Sequence, residues 1–146
     1  MTGKAKGFEF LEHTADVYIA AYGGDLAEAF ENAALAMFET MTDTESVEPK
    51  VEETVEAEGY DKQALLYNWL EEFLIRFEVN NLLYSKFKIQ KIEKTERGFK
   101  LKAKGYGEPF KPKRHKQKVG IKAVTYHGLE VRKTSKGWEA QVIFDI

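Results

Sequence analysis

Residues able to do chemistry fall in three short stretches of this chain. Near its start, "HTAD" sets the imidazole of His13, the hydroxyl of Thr14 and the carboxylate of Asp16 side by side. At its end, "AQVIFDI" runs an apolar strand, Val142 to Phe144, into Asp145 and Ile146, so a side-chain carboxylate and the α-carboxylate meet where the strand leaves the core. Between these, "KPKRHKQKVGIK" gathers Lys111, Lys113, Arg114, Lys116, Lys118 and Lys122.

Each stretch has a plain structural reading beside a chemical one. A polar corner between strands uses Asp and Thr to cap backbone amides, and "HTAD" fits that role. Acyl-transfer chemistry finds little support. The chain has no cysteine and no nucleophile elbow, and Ser46, Ser85 and Ser135 all sit in polar turn contexts. His13, His115 and His127 are too far apart for helix-borne zinc spacing. Gly105 and Gly107 do not open a helix, so no phosphate-cradling loop is formed. The basic run is either a solvated loop or a patch that faces RNA phosphates without reading bases. Tyr106 and Phe110 are the only aromatics close before it, too few for a stacking platform.

The elements that must position these residues follow from periodicity. "GFEFL" and "VYIAAYGG" alternate on either side of the "HTAD" corner and predict two short strands. Leu26, Ala29, Phe30, Ala33, Met37 and Met41 recur at helical spacing behind Asp25, with Glu28 completing a capping box; this predicts an amphipathic helix. "VEETVEAEG" alternates as a half-exposed strand. Asp61 then opens a second helix whose stripe includes Leu65, Leu66, Trp69, Leu70, Phe73, Leu74 and Phe77. "KFKIQKIEKT", "GFKLKAKGYG", "IKAVTYH", "GLEVRKT" and "GWEAQVIFDI" supply further strands, with turns expected at Arg97-Gly98, His127-Gly128 and Lys136-Gly137. Runs of strands with two segregated helices give an α+β class, the helices packed on a mainly antiparallel sheet.

At 146 residues, 43% of them hydrophobic and 13% aromatic, the chain makes one compact domain spanning 1–146. Its 22 basic and 24 acidic residues leave a formal charge of −2, so a nucleic-acid partner has to be met by a local patch. The absence of cysteine and of an apolar leader segment leads to the expectation of a cytoplasmic protein, and no run is long and apolar enough for a membrane span.

Taken together, "FEFLEHTADVYIAAYGGDLAEAFENAALAMFETMTD", "GYDKQALLYNWLEEFLIRFE", "GIKAVTYHGLEV" and the closing "VIFDI" resemble the archease family in order and spacing over nearly the whole chain. The resemblance implies a domain of strand-helix-strand-strand modules. It also implies a non-enzymatic role as protein cofactor of an RtcB-type RNA ligase, which joins RNA ends in tRNA splicing with GTP and manganese. The cofactor promotes formation of the ligase's guanylated intermediate and its repeated turnover, and meets tRNA indirectly, through the ligase.

The same resemblance implies a divalent cation, calcium in the first place with magnesium or manganese as alternatives, held by Asp16, Asp145 and the terminal carboxylate of Ile146. The chemistry agrees: carboxylates brought together repel unless a cation neutralises them, and oxygen donors favour hard ions over zinc. Lys122 is expected as a counter-charge near this cluster and His13 as its support or a partner contact, with Arg114 and His115 as further partner contacts in the basic loop. Two other readings stay open. One is an RNA-associated chaperone that binds tRNA or a tRNA methyltransferase through the basic loop; the other, a metal-dependent phosphatase or nuclease, is disfavoured by a single acidic cluster without a base.

Overall fold

The computed structural model describes residues 7–11 and 16–146. Its elements run β1 (Phe8–Leu11), β2 (Val17–Gly23), α1 (Leu26–Met41), β3 (Val51–Gly59), α2 (Lys62–Asn80), β4 (Leu82–Thr95), β5 (Gly98–Pro109), β6 (Ala123–Thr134) and β7 (Gly137–Asp145). The strands form two antiparallel sheets, one in the order β1-β2-β7-β6 and one in the order β3-β5-β4. The expected α+β class holds, but the single sheet of the sequence reading is two. α1 packs on β2, β7 and β4, and α2 on β3 and β6, so each helix touches both sheets.

Local chemistry starts both helices where expected. Asp25 accepts the Glu28 N–H at 2.8 Å, satisfying a donor that the first helical turn leaves unpaired, while the Glu28 carboxylate accepts the Gly24 N–H, just ahead of the cap, at 2.6 Å. Asp61 accepts the Ala64 N–H at 2.7 Å in the same way. α2 ends at Asn81, whose φ of 60° gives a left-handed cap, and the chain enters β4 at once. That strand therefore begins four residues earlier than "KFKIQKIEKT" predicts.

α1 is amphipathic as expected, with Glu28, Glu31, Asn32 and Glu39 along its less buried face, but its buried face is wider than the predicted stripe. Ala34, Ala36, Phe38 and Thr40 are buried as well as the predicted stripe, because the helix is enclosed by sheet on one side and by β4 and α2 on others. Its alanines permit that close approach. Trp69 of α2 is fully buried and donates its indole N–H to the Phe30 carbonyl at 2.8 Å, which ties the helices together. Phe73 meets Trp69 edge to face at 4.7 Å, whereas Phe77 is only partly buried.

One expected turn is absent. "IKAVTYH" and "GLEVRKT" do not form a hairpin at His127-Gly128 but belong to one strand, β6, that pairs with β7 at both ends. The register passes from Thr125 opposite Ile143 to Glu130 opposite Gln141, so residues 126–129 arch away against a single β7 residue. Gly128, at φ 73°, supplies the bend that the sequence mimics as a turn. The Arg97-Gly98 and Lys136-Gly137 turns form as expected.

Candidate metal and partner site

The four-stranded sheet fixes where the acidic residues stand. Val17 is opposite Phe144 in the β2–β7 ladder, Tyr18 opposite Ile143 and Ala20 opposite Gln141. The ladder ends at the Val17–Phe144 pair, with Asp16, in the bend just before β2, and Asp145, the last residue of β7, at the same end of these neighbouring strands. Two carboxylates from distant parts of the chain are thus brought to one end of the sheet. On the other flank of β7, Ala123 is opposite Asp145, and the Lys122 N–H donates to the Asp145 carbonyl at 2.7 Å. Thr125 donates its hydroxyl to the Ile143 carbonyl at 2.9 Å. The end of β7 is therefore held on both sides, with Lys122 and Ile146 exposed beside it.

The donor set suits a hard cation, since every candidate atom is oxygen. Among the described residues no three His, Cys, Asp or Glu side chains converge on a metal position. The ligand set that the resemblance implies, two side-chain carboxylates and the terminal carboxylate, is of this kind. His13 lies outside the described residues. A cleft of about 710 Å³, lined in part by Tyr22, Glu28, Asn32 and Trp138, opens at the opposite end of β2 and β7 from the carboxylates.

Arg114 and His115 occupy a different place from the acidic cluster, in the loop after β5. His115 is turned inward and only 1% exposed. Its Nδ1 accepts the Lys111 N–H at 2.9 Å, which leaves Nε2–H to donate to Glu108 Oε2 at 2.8 Å. The same Glu108 oxygen accepts the Glu48 N–H at 2.9 Å and lies 3.4 Å from Arg114 Nε. Burial alone would push the Glu108 carboxyl up, but the Glu48 N–H, the His115 ring and Arg114 together hold it below its ordinary range. Arg114 also pairs with Glu48, whose carboxyl Lys50 and Arg114 draw down to about 2. His115 is thus a fastening of the loop, with its ring closed off from any partner. The sequence offered no signal for this: Glu108 and His115 are near neighbours in sequence, but burial decides their role.

Comparison with known proteins gives the family. The model of the Archease protein family matches residues 8–146. The chain belongs to the archease family. Protein archease of Pyrococcus abyssi is 46% identical over 142 residues, covering 97% of this chain and 99% of the relative. Protein archease of Methanosarcina mazei is 44% identical over 146 residues and covers both chains fully. Among solved structures, Methanobacterium thermoautotrophicum protein 1598 superimposes with a TM-score of 0.85 at 45% identity, covering 97% of this chain and 99% of that one. An archease of Thermotoga maritima, described as a possible chaperone, shares the fold with a TM-score of 0.61 at 19% identity over 93% of this chain and 94% of that one. No helix among the described residues is long and apolar enough to cross a membrane.

Proposed function

We propose that this archease-family protein is a non-catalytic activator of an RtcB-type RNA ligase, working from the Asp16–Asp145 end of its four-stranded sheet. The observation that supports the reading is the β2–β7 pairing, which leaves Asp16 and Asp145 at the same end of neighbouring strands, with Lys122 bonded to the Asp145 carbonyl. Carboxylates gathered at one end of a sheet offer hard oxygen donors of the kind that a divalent cation or a partner's positive group meets. Asp16, Asp145 and the Ile146 carboxylate would hold a divalent ion, calcium first, with magnesium or manganese as alternatives. Such an ion, when bound, neutralises the carboxylates and polarises oxygen ligands. The chain's own residues hold the geometry: the Lys122 N–H and Thr125 hydroxyl fix the end of β7, and the Lys122 side chain, exposed, is free to meet the ligase or its nucleotide. Docked beside the ligase active site, this edge would help position metal and GTP for guanylation, and tRNA would be met through the ligase.

The competing idea, a chaperone for tRNA or a tRNA methyltransferase acting through the basic loop, loses part of its footing here. Arg114 is engaged with Glu48 and Glu108, and Lys118 with Glu39 and Asp43. The decisive experiment purifies Asp16→Ala and Asp145→Ala, confirms wild-type folding by circular dichroism, and measures ligase guanylation and multiple-turnover ligation. Stimulation is expected to fall by more than about tenfold in both. If both variants stimulate as well as the unaltered protein, the carboxylates are not the working surface.

A further inference from the structure

We propose that the outward face of the three-stranded sheet docks the phosphate backbone of RNA. The carrying observation is how strand register sorts charge there. Lys100, Lys102 and Lys104 alternate along β5, and β4 sets Lys88 directly opposite Lys104 and Lys91 directly opposite Lys102. Lys86 follows, opposite Tyr106, with its ammonium 5.1 Å from the ring centre. Six lysines thus share one face of two adjacent strands.

Part of this arrangement is built against local preference. Like charges opposed across strands destabilise a sheet, and here the opposition occurs in two successive rows. The register shift between Ile89 and Lys91 is what brings the second row about. An unbroken strand would give Lys91 the same parity as buried Ile89 and turn it inward; the extra residue, Gln90, returns it to the lysine face. Opposing carboxylates lie mainly on β3, with Glu93 of β4, opposite Lys100, as the exception. On β3, Glu56 and Glu58 stand opposite Lys102 and Lys100, and Lys104 pairs with Glu52 at 2.8 Å. Lys91 pairs with Glu93 at 3.4 Å. Exposed pairs of this kind exchange readily for another anion. The positive excess therefore follows β4, an open edge of the sheet.

The chemistry selects a phosphate backbone over a protein surface. Protein interfaces need an apolar centre, and the rows around these lysines hold Lys, Glu, Thr and one Tyr but no aliphatic side chain. Backbone binding needs only point cations and reads no sequence. The choice of RNA among polyanions rests on the ligase reading above.

The test uses the full chain alone and a labelled RNA hairpin, with anisotropy followed from about 50 to about 200 mM salt. The unaltered protein should bind with a Kd of about 1–100 µM, steeply weakened by salt. A triple variant, Lys88→Gln with Lys91→Gln and Lys102→Gln, should bind more than about tenfold more weakly and lose roughly 2–3 from the salt slope. It should keep its circular dichroism and melting midpoint. A loop variant, Lys111→Gln with Lys113→Gln and Lys116→Gln, should bind as the unaltered protein does. Three results overturn the proposal: no RNA binding by the unaltered protein at the lowest salt, wild-type affinity and slope in the triple variant, or equally tight binding of labelled polyglutamate. Guanylation of the ligase requires no RNA, so the triple variant should still stimulate it. Loss of RNA binding with guanylation stimulated supports the lysine face; failure of the unaltered protein to stimulate guanylation overturns the ligase reading and leaves this one to stand or fall on RNA binding.

Discussion

Replacing His115 by alanine separates a fastening from a contact surface. The ring makes two hydrogen bonds in a place closed to water, one from the Lys111 N–H at 2.9 Å and one to Glu108 at 2.8 Å. A hydrogen bond to a charged group contributes about 1.5–3 kcal/mol, and stranding a buried donor costs about 1–3 kcal/mol. These overlap, since both report on the same loop, and a combined loss of about 3–4 kcal/mol is expected for His115→Ala. For a chain of this size that corresponds to a melting midpoint lower by roughly 6–16 °C. Differential scanning calorimetry measures it directly. The pH dependence adds a second reading. Glu108 is held below its ordinary value of 4.5, so its contribution is full above that value and is lost as the pH falls through its lower folded-state value. The gap in midpoint between the unaltered protein and Glu108→Gln should therefore be widest near neutrality and narrow below about pH 4.5. Ligase stimulation per folded molecule should be unchanged in His115→Ala. An unaltered midpoint with lost stimulation would refute the reasoning and return His115 to the list of partner contacts.

Other perturbations test the core and the acidic edge. Trp69→Ala should lower stability by roughly 3–5 kcal/mol, seen as a shift in urea midpoint, because it leaves a cavity and strips the Phe30 carbonyl of its donor. Gly107→Ala should prevent folding or yield an aggregate on size exclusion, since a Cβ there would lie 1.7 Å from the Leu83 carbonyl oxygen, and backbone on a paired strand cannot move aside. Calcium at about a hundred times its Kd should stabilise the unaltered protein by about 2.7 kcal/mol in thermal melts. A residue added after Ile146 should abolish most of that gain; equal stabilisation of the extended chain would remove the terminal carboxylate from the ligand set.

Legibility in the sequence followed the range of the interactions. Asp25 and Asp61 announced their helices because a cap acts on an amide three residues ahead, and Gly98 and Gly137 announced their turns for a similar reason. Asp145 was visible as an anion at a strand end. That Asp16 lies at the same end of the sheet depends on the pairing of β2 with β7, which joins opposite parts of the chain and leaves no local signal. The division into two sheets was hidden for the same reason. The enclosure of α1 was hidden by its alanines, which look alike on a buried and an exposed face. The lysine face is an alternation that anyone can read along β5, but its doubling needs both the β4 register and the Gln90 shift. Gly128 misled because a bend away from a ladder and a reversal of the chain ask the same of a glycine.

The arch of residues 126–129 has a bearing on how the molecule behaves in company. β6 is an outer strand of its sheet, and an unbroken outer strand of twelve residues would offer a foreign chain a long row of unpaired amides and carbonyls. With its middle lifted out of register, β6 presents two short, offset segments, neither long enough to template a partner strand. Along this edge the protein can then be held at high concentration without being drawn into strand exchange with its own copies. Straightening the arch by deleting residues would restore the template, and self-association, invisible in any single folded molecule, would be its first symptom.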